Sequence, residues 1–142
     1  MNGPRPTIFT ILVIDDDSGI LEMVSELLEI EGHRVLAAAS GKDGLAMVRT
    51  VRPDLILVDY HMPVMNGLEV VKRLKSDAET QGIPLVALTS GTGHDANALS
   101  RAGCIGFIPK PFEPAGFLRV VAEFLNETVG KTRRAGDSRL ET

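Results

Sequence analysis

The amino-acid sequence predicts an α/β fold in which a parallel sheet of five strands is covered by helices on both faces. Short apolar runs alternate along the 142 residues with segments of helical periodicity, which is the pattern expected of βα units joined by right-handed crossovers. The runs are apolar at nearly every position, as strands buried on both faces of a sheet must be. Two of these runs end in aspartates, so the sequence also places acidic groups at an edge of the sheet.

Strands are predicted at the five apolar runs, which are residues 8–14, 34–38, 54–59, 84–89 and 105–109. The first helix, at about 18–31, has the clearest pattern, because apolar side chains recur on one of its faces. Asp17 or Ser18 can cap the start of this helix, and Gly32 follows its end. The first strand is therefore followed almost at once by a helix.

Three further helices are predicted at 42–51, 67–76 and 114–127. The segment between Gly91 and Gly106 predicts another helix, but it is rich in glycine and alanine and has little bulk besides Leu99. A helix with few large side chains is weakly anchored and can move.

Length and composition limit the possible functions. The chain has the length of one domain, and no apolar period continues after Asn126, so we expect a domain over 1–127 and a disordered tail over 128–142. The net charge of −4 argues against a surface that binds nucleic acid directly. The single cysteine, Cys104, excludes an internal disulfide, and no apolar run approaches the roughly 18 residues of a membrane span. A cytoplasmic protein that does not enter the membrane is predicted.

Aspartates follow two of the predicted strands. Asp15, Asp16 and Asp17 come after the first strand, and Asp59 ends the third. If these strands are parallel neighbours, their carboxylates converge, and two carboxylates about 4 Å apart repel by roughly 4 kcal/mol at an effective dielectric near 20. Such a cluster calls for a cation, and an all-oxygen site with few protein ligands suits Mg²⁺. A carboxylate beside Mg²⁺ can act as a nucleophile toward a phosphoryl group.

Four motifs, each at the carboxyl end of a predicted strand, together resemble the receiver domain of the response regulators of bacterial two-component signalling. They are Asp15-Asp16, Asp59 with Met62-Pro63 and Asn66-Gly67, Thr89-Ser90, and Lys110-Pro111-Phe112. The resemblance covers about residues 8–127. It implies a flavodoxin-like, doubly wound sheet with the strand order 2-1-3-4-5.

The resemblance also implies roles for the residues at this edge of the sheet. Asp59 would be the phosphoacceptor, and Lys110 would pair with it and later with the phosphoryl group. Asp16 and Asp59 would bind Mg²⁺ directly, Asp15 would act mainly through a bound water, and the backbone carbonyl of His61 would complete the protein ligands.

The remaining matched positions are expected to act in switching. Thr89 would donate its hydroxyl to a phosphoryl oxygen, and Ser90 stands where the family has a small residue. Because the hydroxyl must move, the loop and helix that follow would move too, and the surface at about 90–125 would change. Phe107 occupies a position often held by tyrosine. The sequence leaves two roles open for it, that of a core residue and that of a side chain that moves in switching. The Lys110-Pro111 peptide bond is implied to be cis.

The function predicted from these residues is a stand-alone receiver that takes a phosphoryl group on Asp59 from a histidine kinase or a histidine phosphotransfer protein. It would then bind a downstream protein target, as a monomer or weak dimer, and its own chemistry would be limited to Mg²⁺-dependent self-phosphorylation and autodephosphorylation. Three alternatives remain: a fragment of a larger regulator with an output domain, an aspartate-based phosphohydrolase, and a docking module that has lost phosphorylation. A phosphohydrolase typically has a second acid two residues after its nucleophile, where this chain has His61.

Overall fold

Five parallel strands form one sheet in the order β2-β1-β3-β4-β5. The strands are β1 (Thr10–Ile14), β2 (Arg34–Ala38), β3 (Leu55–Asp59), β4 (Leu85–Thr89) and β5 (Gly106–Pro109). This computed structural model describes residues 8–89 and 93–141, apart from the side chains of His94 and of 128–141. Each strand pairs in parallel with its neighbour, so the predicted strand order and the flavodoxin-like α/β class are confirmed.

The strands alternate with five helices, which are α1 (Ser18–Ile30), α2 (Gly41–Val51), α3 (Gly67–Ser76), α4 (Gly93–Ala102) and α5 (Pro114–Glu141). Side chains of the preceding loops cap the first three. Asp17 accepts hydrogen bonds from the backbone N–H groups of Gly19 and Ile20, at 2.9 and 3.2 Å. Ser40 caps α2 and Asn66 caps α3 in the same way. These caps start α1 and α2 after three and two connecting residues, whereas seven residues separate β3 from α3.

The core lies around the three central strands. Every residue of β3 and β4 is buried, and so is β1 from Ile11 onward. α3 adds Val70, Val71 and Leu74, which are all buried. In α4, by contrast, Leu99 is the one buried residue among those whose side chains are described. The weak anchoring of this helix and its movement both stay predictions.

The last helix differs from its prediction. The sequence predicts a helix that ends near 127 and a disordered tail over 128–142, but α5 continues as helix to Glu141. The segment after Asn126 lacks an apolar period and contains two glycines, but it has no proline that would end the helix. Among the described residues, no helix is both long enough and apolar enough to cross a membrane.

The chain divides into two compact units, Met1–Pro111 and Phe112–Thr142. The first contains the sheet and α1 to α4, and the second contains α5. Within the second unit, the rings of Phe112 and Phe117 stack with their centroids 4.7 Å apart, and Glu113 accepts hydrogen bonds from the first backbone N–H groups of the helix. The extent of the predicted domain, 1–127, stays a prediction.

Candidate functional site

Three aspartates meet where β1 and β3 end. The two strands are neighbours, and Ile14 pairs with Val58, so Asp15 and Asp59 follow at the same level of the sheet. Asp15 is fully buried and Asp59 is 4% exposed, whereas Asp16 faces solvent. One carboxylate oxygen from each of Asp15, Asp16 and Asp59 lies within 4.8 Å of the others. The convergence predicted from the two apolar runs is confirmed.

Lys110 brings a positive charge into this cluster from the end of β5. Its Nζ lies 2.7 Å from Oδ2 of Asp15 and 3.2 Å from Oδ1 of Asp59. The resemblance implies that this lysine pairs with Asp59, but the structure shows it between two carboxylates and closer to Asp15. The backbone N–H of Lys110 donates to the carbonyl of Thr89 at 2.9 Å, and the Lys110-Pro111 bond is cis, as the resemblance implies.

The buried charges change one another's protonation. Burial is the main cause that raises the pKa of Asp59 to about 6, and the negative charge of Asp15 raises it further. The positive charge of Lys110 acts in the opposite direction. Burial lowers the pKa of Lys110, but its hydrogen bond to Asp15 and the charges of Asp15 and Asp59 outweigh burial and raise that pKa above its ordinary value. Asp59 is therefore mostly ionised at neutral pH, but its carboxylate is held in the fold at a cost in free energy.

The cluster has the ligands that a magnesium ion prefers. All three side chains offer carboxylate oxygens, and they face one ammonium group, so negative charge remains to be neutralised. Oδ1 of Asp15 already accepts the backbone N–H of Asp17 at 3.0 Å, and its Oδ2 accepts Lys110. Asp16 and Asp59 are therefore better placed than Asp15 to bind a cation directly. The residues present fit Mg²⁺.

Of the other predicted site residues, Thr89 lies at the same edge, whereas Phe107 lies within β5 opposite Ala87. Thr89 ends β4, is 6% exposed, and pairs with Pro109, the residue before Lys110. Phe107 is half-buried on β5 and packs against the core cluster of the sheet. Ser90 lies outside the described residues.

His61 makes a contact that the sequence analysis missed. Its Nε2 lies 3.6 Å from Oδ2 of Asp95, which is near the start of α4, and its ring packs edge to face on Tyr60. The pair connects the loop after β3 with α4. No sequence signal identifies Asp95, because the residues are 34 positions apart and the helical pattern does not show which face of α4 meets that loop.

Gly67 is a second functional position whose role sequence reasoning missed. A Cβ atom at Gly67 would lie 2.3 Å from the backbone oxygen of Asp59 and 2.8 Å from Cα of Tyr60. The backbone N–H of Gly67 donates to the carbonyl of Tyr60 at 2.8 Å. Only glycine allows α3 to begin this close to the end of β3. The turn-forming pair Asn66-Gly67 is a sequence signal for this turn, but not for the close approach to Asp59.

Comparison with known proteins shows the family of this chain. The profile of the response regulator receiver domain matches residues 11–122. The polar-differentiation response regulator DivK of Brucella anthropi is 30% identical over 119 residues, which cover 83% of this chain and 97% of DivK. The same values are found for DivK of Brucella ovis.

Solved structures show the same fold. The chemotaxis response regulator CheY4 of Vibrio cholerae is 32% identical, with a TM-score of 0.78, and the match covers 82% of this chain and 98% of CheY4. NtrX from Brucella abortus is 26% identical with a TM-score of 0.84, and its match covers 91% of this chain but 30% of NtrX. With the profile match and the relatives, these likenesses show that the chain belongs to the response regulator receiver domain family.

Proposed function

We propose that this protein is a phosphoacceptor switch in which Asp59 takes a phosphoryl group from a histidine kinase or a histidine phosphotransfer protein. The observation that carries the proposal is the position of the Asp59 carboxylate, which ends a central strand beside Asp15, Asp16 and Lys110. The family provides the phosphoacceptor role in general, and this geometry supports Asp59 as the acceptor.

In the proposed transfer, a carboxylate oxygen of Asp59 attacks the phosphorus of a phosphohistidine. The P–N bond breaks, a P–O bond to Asp59 forms, and the histidine leaves with its electron pair on the ring nitrogen. With a pKa of about 6, Asp59 is mainly in the anionic, nucleophilic form at neutral pH. Lys110 lies near enough to turn from the carboxylate toward a new phosphoryl oxygen, where its charge would stabilise the product.

Mg²⁺ would be held by Asp16 and Asp59 directly, by Asp15 through water, and by the backbone carbonyl of His61. When bound, the ion supplies positive charge that reduces the repulsion between the carboxylates and an incoming phosphoryl group. Asp15 has a second function that needs no metal, because its hydrogen bonds fix both Lys110 and the start of the loop that contains Asp17.

Switching would begin at Thr89, whose hydroxyl would move toward a phosphoryl oxygen. The segment that follows, at about 90–125, would change its surface and alter the affinity for a downstream protein target. α4 supports this proposal because Leu99 alone among its described residues is buried. Phe107 would respond by changing its ring position, and it has no hydroxyl that could fix either position by a hydrogen bond.

The phosphoacceptor is tested by intact mass after treatment with acetyl phosphate and Mg²⁺. Wild type should gain one phosphoryl group, and Asp59→Asn should gain none. Asp43→Asn, which removes an exposed carboxylate at the start of α2, is the matched control and should be labelled like wild type. Equal labelling of Asp59→Asn and wild type would exclude Asp59 as the acceptor.

The output segment is tested by hydrogen exchange with and without beryllofluoride, a phosphoryl mimic. Protection should change more within 90–125 than in α1 or in 128–142. If the largest change occurred in α1 instead, the proposed output segment would be wrong.

We further propose a cytoplasmic protein that acts as a monomer or weak dimer and binds neither nucleic acid nor membrane directly. The similarity to NtrX, of which the match covers 30%, favours one alternative, namely that the same switch controls an output domain in a larger regulator. A stand-alone receiver and a receiver within a larger regulator would differ in the target that they control, not in the chemistry at Asp59.

A further inference from the structure

The seam between α2 and α3 contains two hollows that share Arg73. The larger hollow has a volume of about 490 Å³ and lies between the start of α2 and the loop after β3. The smaller, about 260 Å³, lies farther along the two helices. We call the surface that lines both hollows the α2–α3 groove. It is separate from the carboxylate cluster, since none of Asp15, Asp16 and Asp59 lines it.

The wall of the larger hollow includes a strained, exposed valine. Val64 has a φ of 68°, and its side chain is fully exposed. A β-branched residue is a genuine outlier in this left-handed region, which glycine or asparagine would adopt with less strain. Within this chain no burial compensates for the strain, because Val64 projects into solvent beside Pro63 and Met65. The backbone N–H of Met65 donates to the carbonyl of Pro63 at 2.7 Å, so Val64 is the central residue of a γ-turn, and this turn holds an apolar side chain out in solvent where a partner can reach it.

Charge along the groove indicates the partner. Lys42 and Arg73 line the larger hollow, and Arg49 and Arg73 line the smaller. None of the three forms an ion pair with a carboxylate among the described residues. Asp77, in the smaller hollow, is the one acidic residue lining either hollow. This basic surface stands out in a chain whose net charge is −4.

We propose that the α2–α3 groove binds an acidic, amphipathic segment of a partner protein. One apolar side chain of that segment would enter the larger hollow against Val64 and Met65, and neighbouring carboxylates would pair with Lys42, Arg49 and Arg73. A protein segment fits better than a nucleic acid, because the walls of the larger hollow are mostly apolar and offer a nucleic acid backbone few partners. The proposal does not depend on phosphorylation of Asp59.

The test is a selection of displayed random peptides of about 12 residues on the unphosphorylated wild-type protein. Selected peptides should combine a large apolar residue with two or more nearby acidic residues. The best peptide, labelled with fluorescein, should bind Lys42→Glu, Arg73→Glu and Val64→Gly at least tenfold more weakly, as measured by anisotropy. Lys72→Glu is the matched control, because Lys72 is an exposed lysine of α3 that lines neither hollow, and it should bind within twofold of wild type.

Three results would overturn the proposal. Equal binding by wild type and all the groove variants would place the peptide elsewhere. The groove would be assigned to nucleic acid if a labelled single-stranded DNA bound wild type more tightly than any selected peptide and did not bind Lys42→Glu. A dimer seen by sedimentation that disappears in Val64→Gly would assign it to a second copy of this chain. Asp59→Asn should bind the peptide as wild type does, so failure of the phosphoacceptor assignment would be seen separately.

Discussion

Asp59→Asn is expected to stabilise the protein at neutral pH when no divalent cation is present. The reason is the position of the Asp59 carboxylate, which is 4% exposed and shares its cluster with Asp15. Burial and the charge of Asp15 raise its pKa from 3.8 to about 6. Asparagine has nearly the same shape and no charge, so the substitution removes this cost of ionisation.

The magnitude follows from the linkage between protonation and folding. The folded pKa is the higher one, so the folded state keeps the proton that the unfolded state loses. The contribution of protonated Asp59 to the free energy of unfolding is therefore fully present below about pH 4, and it is lost as the pH rises through about 6. A difference of roughly two pKa units at 1.36 kcal/mol each amounts to about 3 kcal/mol. At neutral pH the free energy of unfolding of wild type should therefore be about 3 kcal/mol lower than that of Asp59→Asn.

Urea unfolding between about pH 4 and pH 7.5 in EDTA measures this effect. The free energies of unfolding of wild type and Asp59→Asn should coincide in acid and separate by about 3 kcal/mol at neutral pH. Using the difference between the two proteins cancels the titrations of groups outside the cluster. Asp43→Asn, an exposed carboxylate outside the cluster, should stay within about 0.5 kcal/mol of wild type throughout.

Mg²⁺ gives an independent check of the same reasoning. Mg²⁺ at 100 times its dissociation constant should add about 2.7 kcal/mol to the stability of wild type. The gain should be much smaller in Asp59→Asn, which has lost a ligand. If Asp59→Asn were no more stable than wild type at neutral pH, or if their difference did not change with pH, the electrostatic account of the site would be refuted.

Three other substitutions test parts of the cluster. Asp16→Ala should weaken Mg²⁺ binding at least tenfold in calorimetric titration. Because the substitution relieves repulsion between carboxylates, the metal-free protein should be as stable as wild type or slightly more stable. An unchanged Mg²⁺ affinity would remove Asp16 from the ligands. Lys110→Met should cost about 3 kcal/mol at neutral pH in urea unfolding, because the buried Asp15 loses its 2.7 Å ion pair, and a loss that did not shrink in acid would contradict that cause. Gly67→Ala should cost roughly 2 kcal/mol, because its Cβ would lie 2.3 Å from the backbone oxygen of Asp59. A Gly67→Ala protein as stable as wild type would show that α3 can shift away.

Local patterns in the sequence are sufficient for the fold and for the convergence of acidic residues at one edge of the sheet. Each strand is a short run of apolar residues, and Asp17 caps α1 as its spacing predicts. Because parallel strands end at one edge of the sheet, the residues that follow β1, β3, β4 and β5 must collect there. Residue patterns therefore bring Asp15 and Asp59 together, and the resemblance to receiver domains adds the expected roles of Thr89 and Lys110.

The tertiary structure decides how those groups share their contacts. Lys110 lies closer to Asp15 than to Asp59, and His61 pairs with Asp95 of α4. Distances of this kind depend on the packing of elements far apart in sequence, which residue patterns do not encode. The strained φ of Val64 is also invisible in the sequence, because valine ordinarily predicts extended backbone. The sequence by itself therefore determines that acidic residues meet at one edge of the sheet, and only the packing of the folded chain decides which charged groups pair there and which apolar side chains remain exposed.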